Sequence, residues 1–186
     1  MTLFTSNATL LIIDMQAGIN HPRLGRRNNP EAELRMGELL QAWRLHGRPV
    51  VHVRHVSRDP GSVFWPGQPG CEFQPAFTPL ASEAVFTKQV PDAFCQSGLE
   101  RWLLARGITE LVIIGVITNN SVESTARSAG NLGFATTVVS DACYTFDQQD
   151  LQGRRWPAEE VHTLSLSNLA MDYARIVDSA TVLAAD

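Results

Sequence analysis

Short apolar runs without polar–apolar alternation, each followed by a longer stretch of helical period, constrain this chain more than anything else in it. Residues 10–13, 50–53, 84–87, 111–115 and 136–139 are runs of this kind. Neighbouring side chains of a strand project to opposite sides, so a strand that is apolar at consecutive positions must be covered on both faces. Residues 175–183 are expected to hold a sixth strand. Strands alternating with helices predict an α/β architecture, a mostly parallel sheet between two helix layers with right-handed crossovers. Ligands bind such sheets beyond the carboxyl ends of the strands.

The helices have readable ends. Asn29 and Pro30 read as an N-cap and a proline at the first helical position, with Met36, Leu39, Leu40 and Trp43 on one face and Gly47 as the stop. Ser97 and Glu100 have the spacing of a capping box, ahead of inward-facing Leu99, Trp102 and Leu103, and Gly107 ends that helix. A third helix is expected after Asn120, carrying Ala126 and Ala129 and stopping near Gly133. A fourth starts at Pro157, with Leu166, Leu169, Ala170 and Tyr173 along one stripe. Residues 54–83 break the alternation, because Pro60, Gly61, Pro66, Gly67 and Pro69 surround Phe64 and Trp65. A loop this long inside a compact domain is more often functional than inert, so it is expected to cover a site or an oligomer interface.

Bulk properties narrow the partners. The 186 residues suffice for one domain, 1–186, with a sizeable core. A net charge of -4 with scattered Lys and Arg argues against nucleic acid or an anionic membrane surface. The first apolar run follows no basic segment and breaks at Asp14, so neither a signal peptide nor a membrane span is read. Cys71, Cys95 and Cys143 lie far apart, which favours reduced thiols and a cytoplasmic setting.

Residues 115–133 read GVITNNSVESTARSAGNLG. This resembles the nucleophile segment of the isochorismatase-like cysteine hydrolases, G-V-x-T-x-x-C-V-x-x-T-A-R-x-A-x-x-x-G. Every fixed letter is present except the cysteine, and Ser121 stands in its place. The resemblance implies a three-layer αβα sandwich with a six-stranded sheet of order 3-2-1-4-5-6. It also implies a catalytic triad of Asp, Lys and Cys at the ends of the first, third and fourth strands. Asp14 in LLIIDMQ and Lys88 in VFTKQVPDAF occupy the first two positions. Further implications are a cis peptide at Val116–Ile117, oxyanion-stabilising amides near Ile117 and Ser121, and a homodimer or homotetramer.

In the amidase members a carboxylate takes the thiol proton, a lysine holds that carboxylate ionised, and the thiolate attacks a carbonyl. A serine hydroxyl is far less acidic, and an aspartate is too weak a base to activate it unaided. His52, His55 and His162 lie on other elements. Members without the cysteine cleave a vinyl ether, the aspartate acting as general acid and water as the attacking group. The expected function is therefore hydrolysis of a vinyl ether or C–N amide-type bond in a small molecule. Asp14 would serve as general acid/base, with Lys88 and Ser121 beside it and no cysteine nucleophile.

Two alternatives stand beside this reading. One is a cysteine amidase silenced by replacement of its cysteine at 121. The other is a non-catalytic small-molecule-binding protein, against which the retention of both Asp14 and Lys88 argues. Gln16, Trp65, Phe94, Ile117 and Asn120 are the expected substrate contacts. Ser121 also suits a helix cap, Glu123 and Arg127 a structural pair, His162 a satisfied core position, and Cys143 a structural one. Nicotinamidase members bind a divalent ion through an Asp and several His after the second strand. The segment VVHVRHVSRDPG lacks that spacing, so neither metal nor other cofactor is expected. Arg54, Arg58, Arg154 and Arg155 are the loop candidates for holding a substrate carboxylate.

Overall fold

A computed structural model describes residues 4–184. The elements run β1 (Thr9–Ile13), α1 (Ala32–Leu45), β2 (Val50–His55), β3 (Ala84–Lys88), α2 (Leu99–Leu104), β4 (Glu110–Val116) and α3 (Glu123–Asn131). Then follow β5 (Ala135–Tyr144), β6 (Gln148–Gln149), β7 (Arg155–Trp156), α4 (Ala158–Asp172), β8 (Arg175–Val177) and α5 (Ser179–Ala184). Six strands form one sheet in the order β3-β2-β1-β4-β5-β8, every neighbouring pair parallel. The expected topology is present, and β8 takes the sixth place because the antiparallel β6–β7 pair intervenes in the chain.

Burial on both faces explains the apolar runs. Leu10 and Ile12 of β1 pack on one side with Met36, Leu39 and Trp43 of α1 and Val182 of α5. Leu11 and Ile13 pack on the other with Leu99 and Leu103 of α2, Ala126 and Ala129 of α3 and Leu169 of α4. Each such side chain contributes about 1.5–3 kcal/mol by leaving water, which is what makes the two-sided pattern legible. The edge strand β3 departs from it: Val85 and Thr87 are exposed, since only one neighbour and part of one helix layer cover it.

Several local expectations are corrected. Asn29 does not cap α1. It adopts φ 45° ahead of the helix, and its amide donates to the carbonyls of Ser140 and Cys143, tying the entry to β5. No capping box forms at α2, because Gly98 at φ 80° precedes the helix and Ser97 Oγ accepts from the Leu99 amide instead. The buried stripe of α4 runs through Ala158, His162, Ser165, Leu166 and Leu169, and Ala170 faces outward. Residues 175–183 split into a three-residue strand and the start of α5. The aromatic loop folds onto its own molecule: Phe77 is buried, Phe73 stacks edge-on against His52, and Phe64 edge-on against His55.

Candidate active site

Three strand ends meet at the carboxyl edge of the sheet. Asp14 follows β1, Lys88 ends β3, and Ser121 sits in a wide helical turn, Thr118–Val122, that links β4 to α3. Lys88 Nζ donates to Asp14 Oδ2 at 2.6 Å and to Ser121 Oγ at 3.0 Å. All three residues are buried. Asp14 Oδ1 is buried with no hydrogen-bond partner, so one carboxylate oxygen is spent on the lysine and the other is left over. Burial pushes the Asp14 carboxyl above the usual carboxylate range, against the opposing pull of Lys88, Ser121 and His55.

The backbone around these side chains is specialised. Asp14 adopts φ 54°, a left-handed conformation that costs a non-glycine residue about 1–3 kcal/mol and is characteristic of functional sites. Its amide donates to the Val53 carbonyl at 2.9 Å, so the strained residue remains anchored to β2. Beside it, Gly115 has φ 119°, and a Cβ there would lie 2.2 Å from the Ile13 carbonyl oxygen. Only glycine lets β4 pass that close to β1 at the edge where the site is built. The Val116–Ile117 peptide is cis.

Other fixed letters of the segment hold the turn. Thr118 Oγ1 lies 2.8 Å from His162 Nδ1 on α4. Thr125 Oγ1 accepts from the Ala93 amide, fastening the segment that follows Lys88. Arg127 donates to Glu123 at 2.6 Å and lies over the Tyr173 ring, while Ser165 donates to the other Glu123 oxygen at 2.6 Å. Cys143 is fully buried within β5, and burial drives its thiol far above the ordinary range, which fits a structural role.

A cavity of about 160 Å³ opens on this cluster, lined by Asp14, Ile19, His55, Phe64, Pro91, Val116, Ile117, Asn120 and Ser121. Of the expected substrate contacts, Ile117 and Asn120 are on its wall, and three are elsewhere. Gln16 is a structural clamp, its amide donating to the His55 and Cys71 carbonyls at 2.9 Å while its oxygen accepts from the His55 amide at 2.7 Å. Phe94 is half-buried, packed against Phe134 at the margin of the core. Trp65 is not among the lining residues, and the neighbouring Phe64 takes the wall position.

Sequence reasoning left out His55, Phe64, Ile19 and Pro91 as site residues. His55 closes β2, a carboxyl strand end beside β1, and that position was the signal available. Its imidazole is pushed below the ordinary histidine range by burial and by Lys88. Ser121 does not cap a helix, because its hydroxyl belongs to Lys88. Among the described residues, no three or more His, Cys, Asp or Glu are grouped to hold a metal ion. No described helix is long and apolar enough to cross a membrane.

Comparison with known proteins agrees with this geometry. Residues 8–181 match the Isochorismatase domain. A solved hydrolase of the isochorismatase family from Chromobacterium violaceum ATCC 12472 superposes with a TM-score of 0.96 at 49% identity, over 100% of this chain and 96% of that one. The isochorismatase family protein YrdC of Bacillus subtilis (strain 168) is 34% identical over 168 residues, 90% of each chain. Streptothricin hydrolase of Streptomyces noursei is 36% identical over 141 residues, 74% of this chain and 50% of that protein. With the family match covering nearly the whole chain, and with the sheet order and the strand-end cluster in place, this protein is an isochorismatase-family hydrolase.

Proposed function

We propose that the protein hydrolyses a vinyl ether or C–N amide-type bond in a small molecule without a covalent enzyme intermediate. Asp14 is the general acid/base, Lys88 orients and polarises it, and Ser121 positions substrate or water. The observation that carries this reading is the division of labour at Asp14. Oδ2 is held by Lys88 at 2.6 Å, while Oδ1 is buried and unpartnered on a residue that lines the cavity. Burial raises this carboxyl above its usual range, the direction that favours a general acid/base role. Water then attacks the activated carbon. The amides near Ile117 and Ser121 would stabilise charge developing on the substrate oxygen.

A second reading has its own observation. The Lys88 ammonium contact to Ser121 Oγ, 3.0 Å, would stabilise a serine alkoxide, so Ser121 could attack directly and form an acyl-enzyme. Intact-mass measurement during turnover of a vinyl-ether and amide panel separates the two. The reading predicts product without any protein adduct. A mass increase mapped to Ser121 would replace it with acyl-enzyme chemistry, and no turnover across the panel would leave a binding protein.

Streptothricin hydrolase, by its name, acts on streptothricin, and that protein is twice the matched length. We also propose a homodimer or homotetramer. Exposed Leu151, Leu164 and Met171, beside and on α4, supply the apolar surface rather than the aromatic loop. Sedimentation showing only a 20.5 kDa species would refute it.

A further inference from the structure

The candidate site differs from a general-purpose hydrolase cleft in two measurable ways, its size and its charge. Its volume, about 160 Å³, is close to that of an apolar cavity of about 150 Å³ that holds a benzene-sized molecule. Five of its nine lining residues are Ile19, Phe64, Pro91, Val116 and Ile117, and the polar ones are Asp14, His55, Asn120 and Ser121. None of the nine is a lysine or an arginine. Lys88 donates to Asp14 and Ser121 behind the wall and is not itself a lining residue.

The arginines that could have received a substrate carboxylate are engaged elsewhere. Arg54 Nε donates to Thr87 Oγ1, and Arg58 Nε donates to Gln89 Oε1 in a separate groove with Val90 and Cys95. Arg154 lies 3.8 Å over the Trp156 ring, and Arg155 belongs to the β6–β7 hairpin. The wall itself is held closed. Gly18 packs so tightly under the loop that a Cβ would come 2.8 Å from Phe64 Cε1 and 2.9 Å from Val63 Cγ2. Phe64 is thereby packed directly against residue 18 on the side of residues 17–20.

Building on the hydrolase reading above, we infer that the site takes an uncharged, single-ring-sized substrate whose one polar group meets Asp14, His55 and Asn120, and that it rejects carboxylates. A carboxylate entering this wall loses its hydration and meets no lysine or arginine among the lining residues. A neutral amide or ether oxygen can accept from His55 or Asn120, and its ring fills the apolar side. Substrates bearing two carboxylates, as isochorismate does, fall outside this class.

Binding separates this inference from the question of turnover. Benzamide, benzoate and isophthalate share one ring and differ in charge, and their affinities for the intact protein can be measured by calorimetry at pH 7. Benzamide should bind, with benzoate on the order of 100-fold weaker and isophthalate weaker still, the size expected for burying an uncompensated charge. Asn120→Arg, at an exposed position on the cavity rim, should narrow or reverse the benzamide–benzoate preference. Equal or tighter binding of benzoate by the unaltered protein, or no binding of benzamide at millimolar concentration, would overturn the inference. Selective binding without turnover of any neutral amide or vinyl ether would leave the substrate class standing and sink the catalytic reading. Turnover of dicarboxylates would do the reverse.

Discussion

The strand β3 carries a buried carboxylate–cation cluster at each end, and the two are built to opposite specifications. At its amino end Glu83 is saturated. Oε1 accepts from Arg44 Nε at 2.7 Å, and Oε2 accepts from Arg44 Nη2, from the Leu80 amide and from the His52 ring at 2.8–2.9 Å. At its carboxyl end Lys88 satisfies one oxygen of Asp14 and leaves the other with nothing. The consequences run in opposite directions: Glu83 is held down to about 2, while Asp14 is pushed up. Asp14 is the more deeply buried of the two and receives fewer donors, and both differences act in the same direction. A saturated cluster locks α1 to the start of β3, whereas an unsaturated one holds an oxygen ready for a ligand.

The comparison breaks first at Asp14. Asp14→Asn should lower hydrolysis by about 10²- to 10⁴-fold, the usual loss on removing a general acid. Glu83→Gln should leave kcat per folded molecule within a few-fold. Steady-state kinetics on both variants, with circular dichroism confirming the fold, would reverse the assignment if Glu83→Gln were the inactive one.

Stability should respond at the other end. Glu83→Ala leaves the fully buried His52 without its acceptor and Arg44 with only the Thr78 carbonyl, and should cost about 3 kcal/mol. Urea unfolding would show this as a lower midpoint at unchanged slope. A loss under about 1 kcal/mol would mean that the saturated cluster is ornamental to folding.

The pH dependence sharpens the same contrast with a smaller effect. The Glu83 carboxyl sits at about 2 when folded against an ordinary 4.5, so its contribution is complete above pH 4.5 and is lost as pH falls towards 2. Asp14 has the opposite sign. Its folded value is raised, so its contribution is full below the ordinary 3.8 and declines as pH rises through the folded value. Melting temperatures between pH 7 and pH 3 should fall more steeply for the unaltered protein than for Glu83→Gln. Parallel curves would show that Glu83 is not the group that titrates.

What was legible in the sequence follows the range of the interaction. Fully buried strands and the turn segment were readable because periodicity and fixed letters are local. The letters have physical reasons in Gly115 against Ile13, Thr118 against His162 and Thr125 against Ala93. Asp14 and Lys88, 74 residues apart, were readable only because both sit at strand ends in a known pattern. The cavity wall was not. Gln16 and Phe94 flank the key residues in sequence, yet adjacent side chains leave a backbone in different directions, and these two point into a clamp and a core. Phe64 reaches the wall because a long loop folds back onto His55 at the end of β2, a long-range packing event with no periodic signature. The cap expectations at Asn29 and Ser97 failed for a related reason, since both side chains found tertiary or alternative partners.

The smallest expected effect concerns Ser121 itself. Its hydroxyl accepts from Lys88 at 3.0 Å and stands beside the Asp14 carboxyl, and it caps no helix. Ser121→Ala removes one hydrogen bond from a lysine that retains Asp14 at 2.6 Å, so the loss of stability should be about 0.5–1.5 kcal/mol. Activity should fall only a few-fold, because in the proposed chemistry Asp14 moves the proton and the serine supplies no covalent bond. The outcome differs sharply under acyl-enzyme chemistry. There Asp14, Lys88 and Ser121 act as one unit, and members of such a unit fail together, so the alanine form would be as inactive as Asp14→Asn. A folded Ser121→Ala protein that turns over substrate thus keeps the unsaturated carboxylate as the centre of the chemistry. A folded and dead one moves that centre to the serine and makes Lys88, shared between them, the group that activates it.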